Sequence, residues 1–256
     1  MGKPKALILR GPGTNCDRET AFAFEQAGAA TALVHINRLI SGEERLGDYQ
    51  IMVIPGGFTY GDDIAAGKVL ANELMLRVGE QVRRFVSEGR LVLGICNGFQ
   101  VMVKAGILPG PGGSDVPRIT LTSNDSNRFE CRWVHLGVEQ ASPCVFTRGI
   151  QRMYLPVAHA EGKLVASPEA LPELFVVLRY TSPDGKSGAG YPHNPNGSVA
   201  DIAGICDASG RVFALMPHPE RYLRRTQHPR WTRGEGGEPG DGFKIFANAV
   251  AFFKGG

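Results

Sequence analysis

Short apolar runs alternate with amphipathic segments along the first part of the chain. The apolar runs predict buried strands at 6–9, 31–36, 50–54 and 91–95. Apolar side chains at helical spacing predict the intervening helices, which end near 27, 85 and 105. Asn15 or Asp17 is the expected N-terminal cap of the first helix. Strands that alternate with helices in this way indicate a largely parallel sheet covered on both faces.

The pattern changes after about residue 110. A loop rich in glycine and proline is predicted at 109–113, and a last helix near 242–253 begins after Asp241, its expected cap. Further short strands are predicted at 131–138, 153–157, 174–180, 201–206 and 211–216. No long linker divides the sequence. We therefore expect residues 1–256 to form a single α/β domain, whose mixed, mostly parallel sheet is flanked by helices and gains extra β structure in the second half.

Composition narrows the class of protein. Of 256 residues, 43% are hydrophobic and 21% are charged, and the net charge of +3 is too weak to indicate a nucleic-acid or membrane surface. The five cysteines include no C-x-x-C pair, which argues against a disulfide framework or a zinc ribbon. No apolar run approaches the roughly 20 residues that span a bilayer, and the N-terminal one is too short for a signal peptide. These features predict a cytoplasmic protein.

The strongest local signal is G-I-C-N-G at 94–98, between a predicted strand and a predicted helix. A nucleophile between two glycines at a sharp strand-to-helix turn is the arrangement of a nucleophile elbow. Such a turn presents Cys96 at the carboxyl end of the sheet, where the N-terminus of the next helix stabilises a thiolate. The alternative for a lone cysteine is a small buried side chain, but the paired glycines favour the nucleophile.

A thiolate nucleophile needs a base that an acid orients. Among the six histidines, His218 stands apart because its motif, M-P-H-P-E, directly follows a predicted apolar strand. The two flanking prolines favour extended backbone, in which residues i and i+2 point to the same side. Glu220 is therefore expected to accept the ring N–H of His218. Without Cys96, the same motif would be interpreted as a loop histidine beside a surface glutamate.

A third feature is P-G-G-F-T-Y-G-D at 55–62, a glycine-rich loop after a predicted central strand. Acyl-transfer enzymes need N–H donors for the oxyanion that develops on the carbonyl oxygen. The backbone N–H groups of Gly57 and Asn97 are the candidates, although glycine-rich turns are common and the loop alone is a weak signal. The sequence contains no G-x-G-x-x-G, no G-x-x-x-x-G-K-[ST] and no H-E-x-x-H, so it predicts no nucleotide loop and no metal site.

Together, G-I-C-N-G-F-Q and M-P-H-P-E resemble motifs of the class I, or triad-type, glutamine amidotransferases. Within that family, further motifs are similar to the glutaminase subunits of phosphoribosylformylglycinamidine synthase: P-G-G-F-T-Y-G-D-D, G-P-G-T-N-C-D, P-V-A-H-A-E-G at 156–162 and N-G-S-V-A-D-I-A-G at 196–204. The motifs keep their order from about residue 7 to residue 253, so the resemblance covers nearly the whole chain. It implies a flavodoxin-like sheet.

The resemblance implies a role for each candidate residue. Cys96 attacks the side-chain amide of glutamine and forms a γ-glutamyl thioester. His218 moves protons to the leaving ammonia and from water, and Glu220 orients His218. Gly57 and Asn97 hold the oxyanion. The other groups of the substrate are expected to contact Gln100, Asn196, Gly197 and Ser198.

The resemblance also implies partners. The ammonia passes to a separate synthetase subunit, which uses ATP and Mg to convert formylglycinamide ribonucleotide to the amidine in purine (IMP) biosynthesis. A small third subunit bridges the two in multi-subunit forms, and no cofactor is expected in this chain. The termini at Met1 and Gly256 favour a free-standing subunit, whereas 123–130 and the Arg-rich segment 221–240 look more like the long fused enzymes. That segment is either a solvated basic loop or a docking or anion-binding surface.

Two other classes of function stay open at this point. Another Cys-dependent hydrolase, such as a γ-glutamyl hydrolase or a DJ-1/PfpI-like protein, would also place a cysteine at an elbow. The distant H-P-E turn argues against a DJ-1/PfpI-like protein, and glutamine turnover without an acceptor subunit would favour the γ-glutamyl hydrolase. A non-catalytic flavodoxin-like binding module would show no thiol reactivity at Cys96 and would bind a flavin or a nucleotide.

Overall fold

The computed structural model describes residues 2–110 and 118–255. The strands, numbered in chain order, are β1 Lys5–Arg10, β2 Ala30–His35, β3 Ile51–Ile54, β4 Leu91–Ile95, β5 Ile119–Thr122, β6 Glu130–Val138, β7 Arg152–His159, β8 Lys163–Ala166, β9 Phe175–Thr181, β10 Ile202–Cys206 and β11 Val212–Leu215. The helices are α1 Asp17–Gln26, α2 Ile36–Ile40, α3 Lys68–Ser87, α4 Asn97–Lys104 and α5 Phe243–Phe252. Within these ranges, no helix is both long enough and apolar enough to cross a membrane. The loop predicted at 109–113 falls mostly outside the described residues.

Nine of the described strands form one sheet, in the order β2-β1-β3-β4-β11-β10-β9-β6-β7. The neighbours from β2 to β11 are parallel. Consecutive strands lie on opposite sides of β1, and right-handed crossovers therefore place α1 and α3 on opposite faces of the sheet. The carboxyl ends of β1, β3, β4 and β11 meet at one edge beside this reversal, which is where open α/β sheets bind ligands.

The second half of the chain continues the same sheet in an antiparallel arm. From β11 the order runs through β10, β9, β6 and β7, with each pair antiparallel. The predicted mixed sheet with extra β structure in the second half is therefore confirmed. The sequence pattern missed β5 and β8, which pair with each other in a separate sheet. Each has only four residues, too few for a reliable alternation of apolar and polar side chains.

Apolar helix faces cover the parallel part of the sheet. Phe24 of α1 packs edge-on against Phe246 of α5, with ring centroids 5.0 Å apart. The apolar side chains of α3 that predicted this helix are all buried, and burial of each stabilises the fold by about 1.5–3 kcal/mol. They are Leu70, Leu74, Val78, Val82 and Phe85. Strands β3 and β4 are buried along their whole length. The loops that follow them at the carboxyl edge of the sheet are therefore anchored to a well-packed core.

The predicted helix caps are wrong. No side chain caps α1 or α5. Asp17 instead forms an ion pair with Arg10 at 2.6 Å, while Asn15 accepts a hydrogen bond from the thiol of the next residue at 3.2 Å. Asp241 accepts a hydrogen bond from the backbone N–H of Tyr154 at 2.8 Å. In each case a partner outside the helix competes for the side chain that local sequence assigned to the helix end.

Candidate active site

Cys96 occupies a strained turn between β4 and α4. Its φ of 52° and ψ of −104° lie outside the regions that L-residues normally adopt. Gly98 has no room for a side chain, because a Cβ there would lie 1.9 Å from the carbonyl oxygen of Ile54. A Cβ at Gly94 would lie 2.9 Å from the carbonyl oxygen of Gly98. The sharp turn therefore requires both glycines.

Strand order brings His218 to the same edge as Cys96. β11 is the parallel neighbour of β4, and the backbone N–H of Cys96 donates to the carbonyl oxygen of Leu215 at 2.8 Å. Three residues later, the backbone N–H of His218 donates to the carbonyl oxygen of Pro156 at 2.8 Å. The side chains of Cys96 and His218 line one cavity. Residues far apart in the chain thus form one site.

Glu220 contacts His218, but by a different backbone path from the predicted one. His218 is near-extended at φ −105° and ψ 89°, whereas Pro219–Arg221 form a 3-10 turn. This turn, rather than an i, i+2 pair on an extended segment, places Oε1 of Glu220 2.6 Å from Nδ1 of His218. Both side chains are buried, so water does not compete for this hydrogen bond.

The contacts of His218 favour its protonated form. Burial alone would lower the pKa of His218, but the carboxylate of Glu220 and the sulfur of Cys96 outweigh burial and raise the pKa well above its ordinary value. Within the described residues, Nε2 of His218 has no hydrogen-bond partner. The ring is therefore oriented through one nitrogen while the other is free to transfer a proton.

The cavity has a volume of about 240 Å³. This is smaller than the roughly 300–1,000 Å³ of pockets for drug-sized ligands, so it suits a small metabolite. Two half-exposed aromatic rings, Phe58 and Phe129, line its mouth with their centroids 6.3 Å apart. The lining also includes Asn15, Cys16, Gly57, Cys96, Ala158, His218 and Arg221.

The two predicted oxyanion donors stand on separate elements of the site. Gly57 lies in the loop after β3, lines the cavity and has a φ of +148°. A Cβ at Gly57 would lie 2.8 Å from the carbonyl oxygen of Gly13, so this close approach requires glycine. Asn97 is the first residue of α4. Within the described part of the chain, neither backbone N–H donates to another residue, which leaves both available to a bound oxygen.

Gln100 is buried and is not among the residues that line the cavity, so its contact with substrate stays a prediction. Its Oε1 accepts a hydrogen bond from Nδ2 of Asn97 at 2.9 Å, and its Nε2 donates to the carbonyl oxygen of Glu161. Oδ1 of Asn97 accepts a hydrogen bond from the hydroxyl of Thr59 at 2.7 Å. Gln100 thus joins the elbow to its neighbouring loops, with one hydrogen bond at each end of its side-chain amide.

Asn196, Gly197 and Ser198 also lie outside the lining of the cavity, and their contact with substrate stays a prediction. Nδ2 of Asn196 donates to the carbonyl oxygen of Gly162 at 2.8 Å. The hydroxyl of Ser198 accepts a hydrogen bond from the backbone N–H of Leu164 at 2.9 Å. Gly197 forms the turn between them with a φ of +79°. Their polar groups therefore hold the turn that follows β7.

The end of β7, just before that turn, lies against the nucleophile and carries a neutral histidine. The carbonyl oxygen of Ala158 lies 3.7 Å from Sγ of Cys96. Burial, with the nearby His218 as a smaller cause, lowers the pKa of His159 to about 3. Nδ2 of Asn124 donates to the carbonyl oxygen of His159 at 2.8 Å, so Oδ1 of Asn124 is the acceptor for Nδ1–H of His159 at 3.1 Å. His159, which the sequence analysis did not single out, is therefore fixed as a neutral ring.

Cys16 and Arg221 also belong to the site, although the sequence did not predict them as site residues. Among the described residues, Cys16, His218 and Glu220 are the group whose ligand atoms, all within 4.8 Å of one another, could hold a metal ion. However, Glu220 is bound to the ring of His218, and Nη2 of Arg221 lies 3.1 Å from Sγ of Cys16. A guanidinium at this distance repels a cation, so the cluster suits proton transfer better. The position of Cys16 in the loop between β1 and α1, beside the strand reversal, was the available signal.

Sequence comparison assigns the site to a family. The sequence profile of the CobB/CobQ-like glutamine amidotransferase domain matches residues 3–253. The chain belongs to this glutamine amidotransferase family. The resemblance drawn from the elbow and the M-P-H-P-E motif is thereby confirmed.

Relatives of this glutamine amidotransferase cover its whole length. Phosphoribosylformylglycinamidine synthase subunit PurQ of Dehalococcoides mccartyi is 60% identical over 254 residues, which are 99% of each chain. The subunit of the same name from Methanococcus maripaludis is 44% identical over 267 residues, 98% of each chain. Among solved structures, PurLQS from Thermotoga maritima matches with a TM-score of 0.75 and 32% identity, covering 98% of this chain and 99% of that chain. The predicted α/β, flavodoxin-like fold is confirmed.

Proposed function

We propose that this chain is the glutaminase subunit of a phosphoribosylformylglycinamidine synthase. It hydrolyses glutamine to glutamate and ammonia, and it delivers the ammonia to a synthetase subunit in purine biosynthesis. The observation that carries this proposal is the 2.6 Å contact between His218 and Glu220 in the cavity of Cys96, in a chain of this family. The 60% identity with a PurQ subunit over 99% of both chains supports the choice of reaction.

The proposed chemistry has two steps. In the first, His218 accepts the thiol proton of Cys96, Sγ attacks the γ-carboxamide carbon, and His218 gives that proton to the nitrogen as the carbon–nitrogen bond breaks, which releases ammonia and leaves a γ-glutamyl thioester. In the second, His218 takes a proton from water, the hydroxide attacks the thioester carbon, and glutamate leaves as the thiol re-forms. The backbone N–H groups of Gly57 and Asn97 stabilise the oxyanion in both steps. Glu220 holds His218 in the tautomer and orientation that this transfer needs.

The proposed chemistry needs no cofactor in this chain, because a thiol, an imidazole and backbone N–H groups supply every reacting group. ATP and Mg²⁺ act on the partner synthetase subunit, where formylglycinamide ribonucleotide is activated and receives the ammonia. The name of the Thermotoga maritima structure, PurLQS, supports a partner of this kind and a small bridging subunit.

Reconstitution with synthetase subunits tests this function. We expect glutamine, ATP and formylglycinamide ribonucleotide to give glutamate and the amidine in roughly equal amounts, because ammonia is passed on rather than released. Both products are measured in the same reaction. Hydrolysis of γ-glutamyl peptides at full rate, with no amidine formed, would instead identify a γ-glutamyl hydrolase.

Glu220→Gln tests the proposed orienting acid. We expect glutaminase turnover to fall, but roughly 10- to 100-fold less than in Cys96→Ala, because the orienting acid of a triad is its least costly member to lose. Turnover is measured in the assembled complex. Glu139→Gln, the same change at an exposed ion pair with Arg179 in the antiparallel arm, is the matched control. Equal losses for Glu220→Gln and Cys96→Ala would contradict an orienting role.

A further inference from the structure

A second thiol lies beside the imidazole proposed to carry protons. Cys16 follows β1 and lines the same cavity as Cys96. Its Sγ, a ring nitrogen of His218 and a carboxylate oxygen of Glu220 all lie within 4.8 Å of one another. No step of the proposed chemistry uses this thiol.

Contacts on three sides fix the position of Cys16. Its backbone N–H donates to the carbonyl oxygen of Gly56 at 3.2 Å, and the hydroxyl of Thr20 donates to its carbonyl oxygen at 2.6 Å. A Cβ at Gly56 would lie 2.8 Å from Cε1 of His218 and 3.1 Å from Sγ of Cys16. The loop after β3, the thiol and the imidazole therefore pack together with no space for a side chain at Gly56.

The sulfur is engaged as a neutral thiol. Its S–H donates to Oδ1 of Asn15 at 3.2 Å, and it accepts a hydrogen bond from Nη2 of Arg221 at 3.1 Å. Burial raises the pKa of the Cys16 thiol, so this side chain does not compete with Cys96 as a nucleophile.

Arg221 brings a positive charge to within 3.1 Å of this sulfur. Nε of Arg221 donates to Oε1 of Glu19 in α1 at 2.9 Å, which ties the His218 turn to that helix. The thiol therefore lies next to both the guanidinium and a ring whose contacts favour its positively charged form. A residue that lets the two cations approach would disfavour the imidazolium.

We propose that Cys16 is a positioning residue for His218: its thiol holds the imidazole against Glu220 and keeps the Arg221 guanidinium away from the ring. This inference rests on the proposed function, since it takes His218 as the proton carrier of glutamine hydrolysis. It assigns the conformation of the proton carrier partly to a side chain that takes no part in the bond-making steps.

The pH profile of kcat/KM in the assembled complex measures this role. The charged and titratable groups around His218 are Cys16, Cys96, His159, Glu220 and Arg221. Cys16→Ala opens the space between the ring and the guanidinium. We expect the limb that reports deprotonation of His218 to move to lower pH by roughly half a unit to one unit, because a nearer cation lowers the pKa of an imidazole.

Kinetic constants separate this effect from a change in binding. We expect kcat for glutamine to fall about tenfold in Cys16→Ala while KM changes by less than about twofold, because the orientation of the proton carrier is disturbed and the substrate contacts are kept. Cys16→Ser keeps a donor and an acceptor on the same atom, so its pH limb should stay at the wild-type position. Arg221→Gln added to Cys16→Ala removes the cation and should return the limb toward the wild-type position.

Cys144→Ala is the matched control, because this thiol is buried like that of Cys16 but lies against Cys206, outside the cavity. If kcat and the position of the pH limb are the same in Cys16→Ala as in Cys144→Ala, the thiol only fills space and the proposal is overturned. If the Cys16→Ala variant does not fold, Cys16→Ser provides the test: a pH limb that differs from the wild-type position in this variant also overturns the proposal. Failure of the proposed function is distinct, since the wild-type complex would then form no amidine from glutamine.

Discussion

Replacing Cys96 by alanine is expected to lower glutamine-dependent synthesis of the amidine by at least about 10⁴-fold, while synthesis from ammonium stays within about twofold. The reason is that the thiol serves only amide cleavage, whereas the synthetase subunit consumes ammonia whether it comes from glutamine or from added ammonium. Both rates are measured on the same assembled complex. Cys206→Ala, which removes another buried thiol, is expected to leave both rates unchanged.

The two rates together decide whether Cys96 acts alone in amide cleavage. Loss of both activities in a complex that still assembles would mean that the thiol also supports the synthetase, or that the elbow holds the interface. Retention of glutamine-dependent synthesis would place the nucleophile elsewhere, with Cys16 as the other thiol in the same cavity.

Gly98→Ala is expected to have the second largest effect, although it removes no reacting group. A Cβ at this position would lie 1.9 Å from the carbonyl oxygen of Ile54 in β3, a backbone atom that cannot move aside. The first turn of α4 must shift away from the sheet, which carries the N–H of Asn97 and the strained backbone of Cys96 with it. We expect a loss of about 3 kcal/mol in the free energy of unfolding and loss of glutaminase activity of at least about a hundredfold.

Denaturant unfolding and glutamine turnover of the same preparation measure both parts of this prediction. Gly47→Ala is the control, because nothing lies within 4 Å of its Cβ and its φ is not in the left-handed region. It should change neither quantity. A Gly98→Ala variant with wild-type stability and turnover would show that the elbow tolerates a side chain at this position.

The parallel half of the fold follows from its hydrophobic pattern, because buried strands and amphipathic helices have distinct periods. The elbow was also predictable, since paired glycines around a cysteine at a strand–helix junction have few other uses. Local sequence could not show that β11 lies beside β4, because the antiparallel arm separates them in the chain. The meeting of Cys96 and His218 depended on that pairing.

Contacts made by side chains over long distances explain the failures. The motif N-G-S at 196–198 suggested substrate binding, which stays a prediction, and in the structure Asn196 and Ser198 form hydrogen bonds with the backbone of Gly162 and Leu164. Asp17 and Asp241 were expected as helix caps, yet Arg10 and a backbone N–H of β7 engage them. Residue type and spacing show which groups can form hydrogen bonds, whereas the tertiary structure decides which partner each of them meets.

A glutamine analogue with an electrophilic γ-carbon tests the proposed nucleophile and substrate together. The wild-type chain, assembled with its synthetase partner, is treated with the analogue in the presence and absence of excess glutamine, and any adduct is located by peptide mass. We expect one adduct, on Cys96, that glutamine suppresses and that Cys96→Ala abolishes. An adduct on Cys16, or labelling of Cys96 that glutamine does not slow, would contradict Cys96 as the nucleophile of a glutaminase.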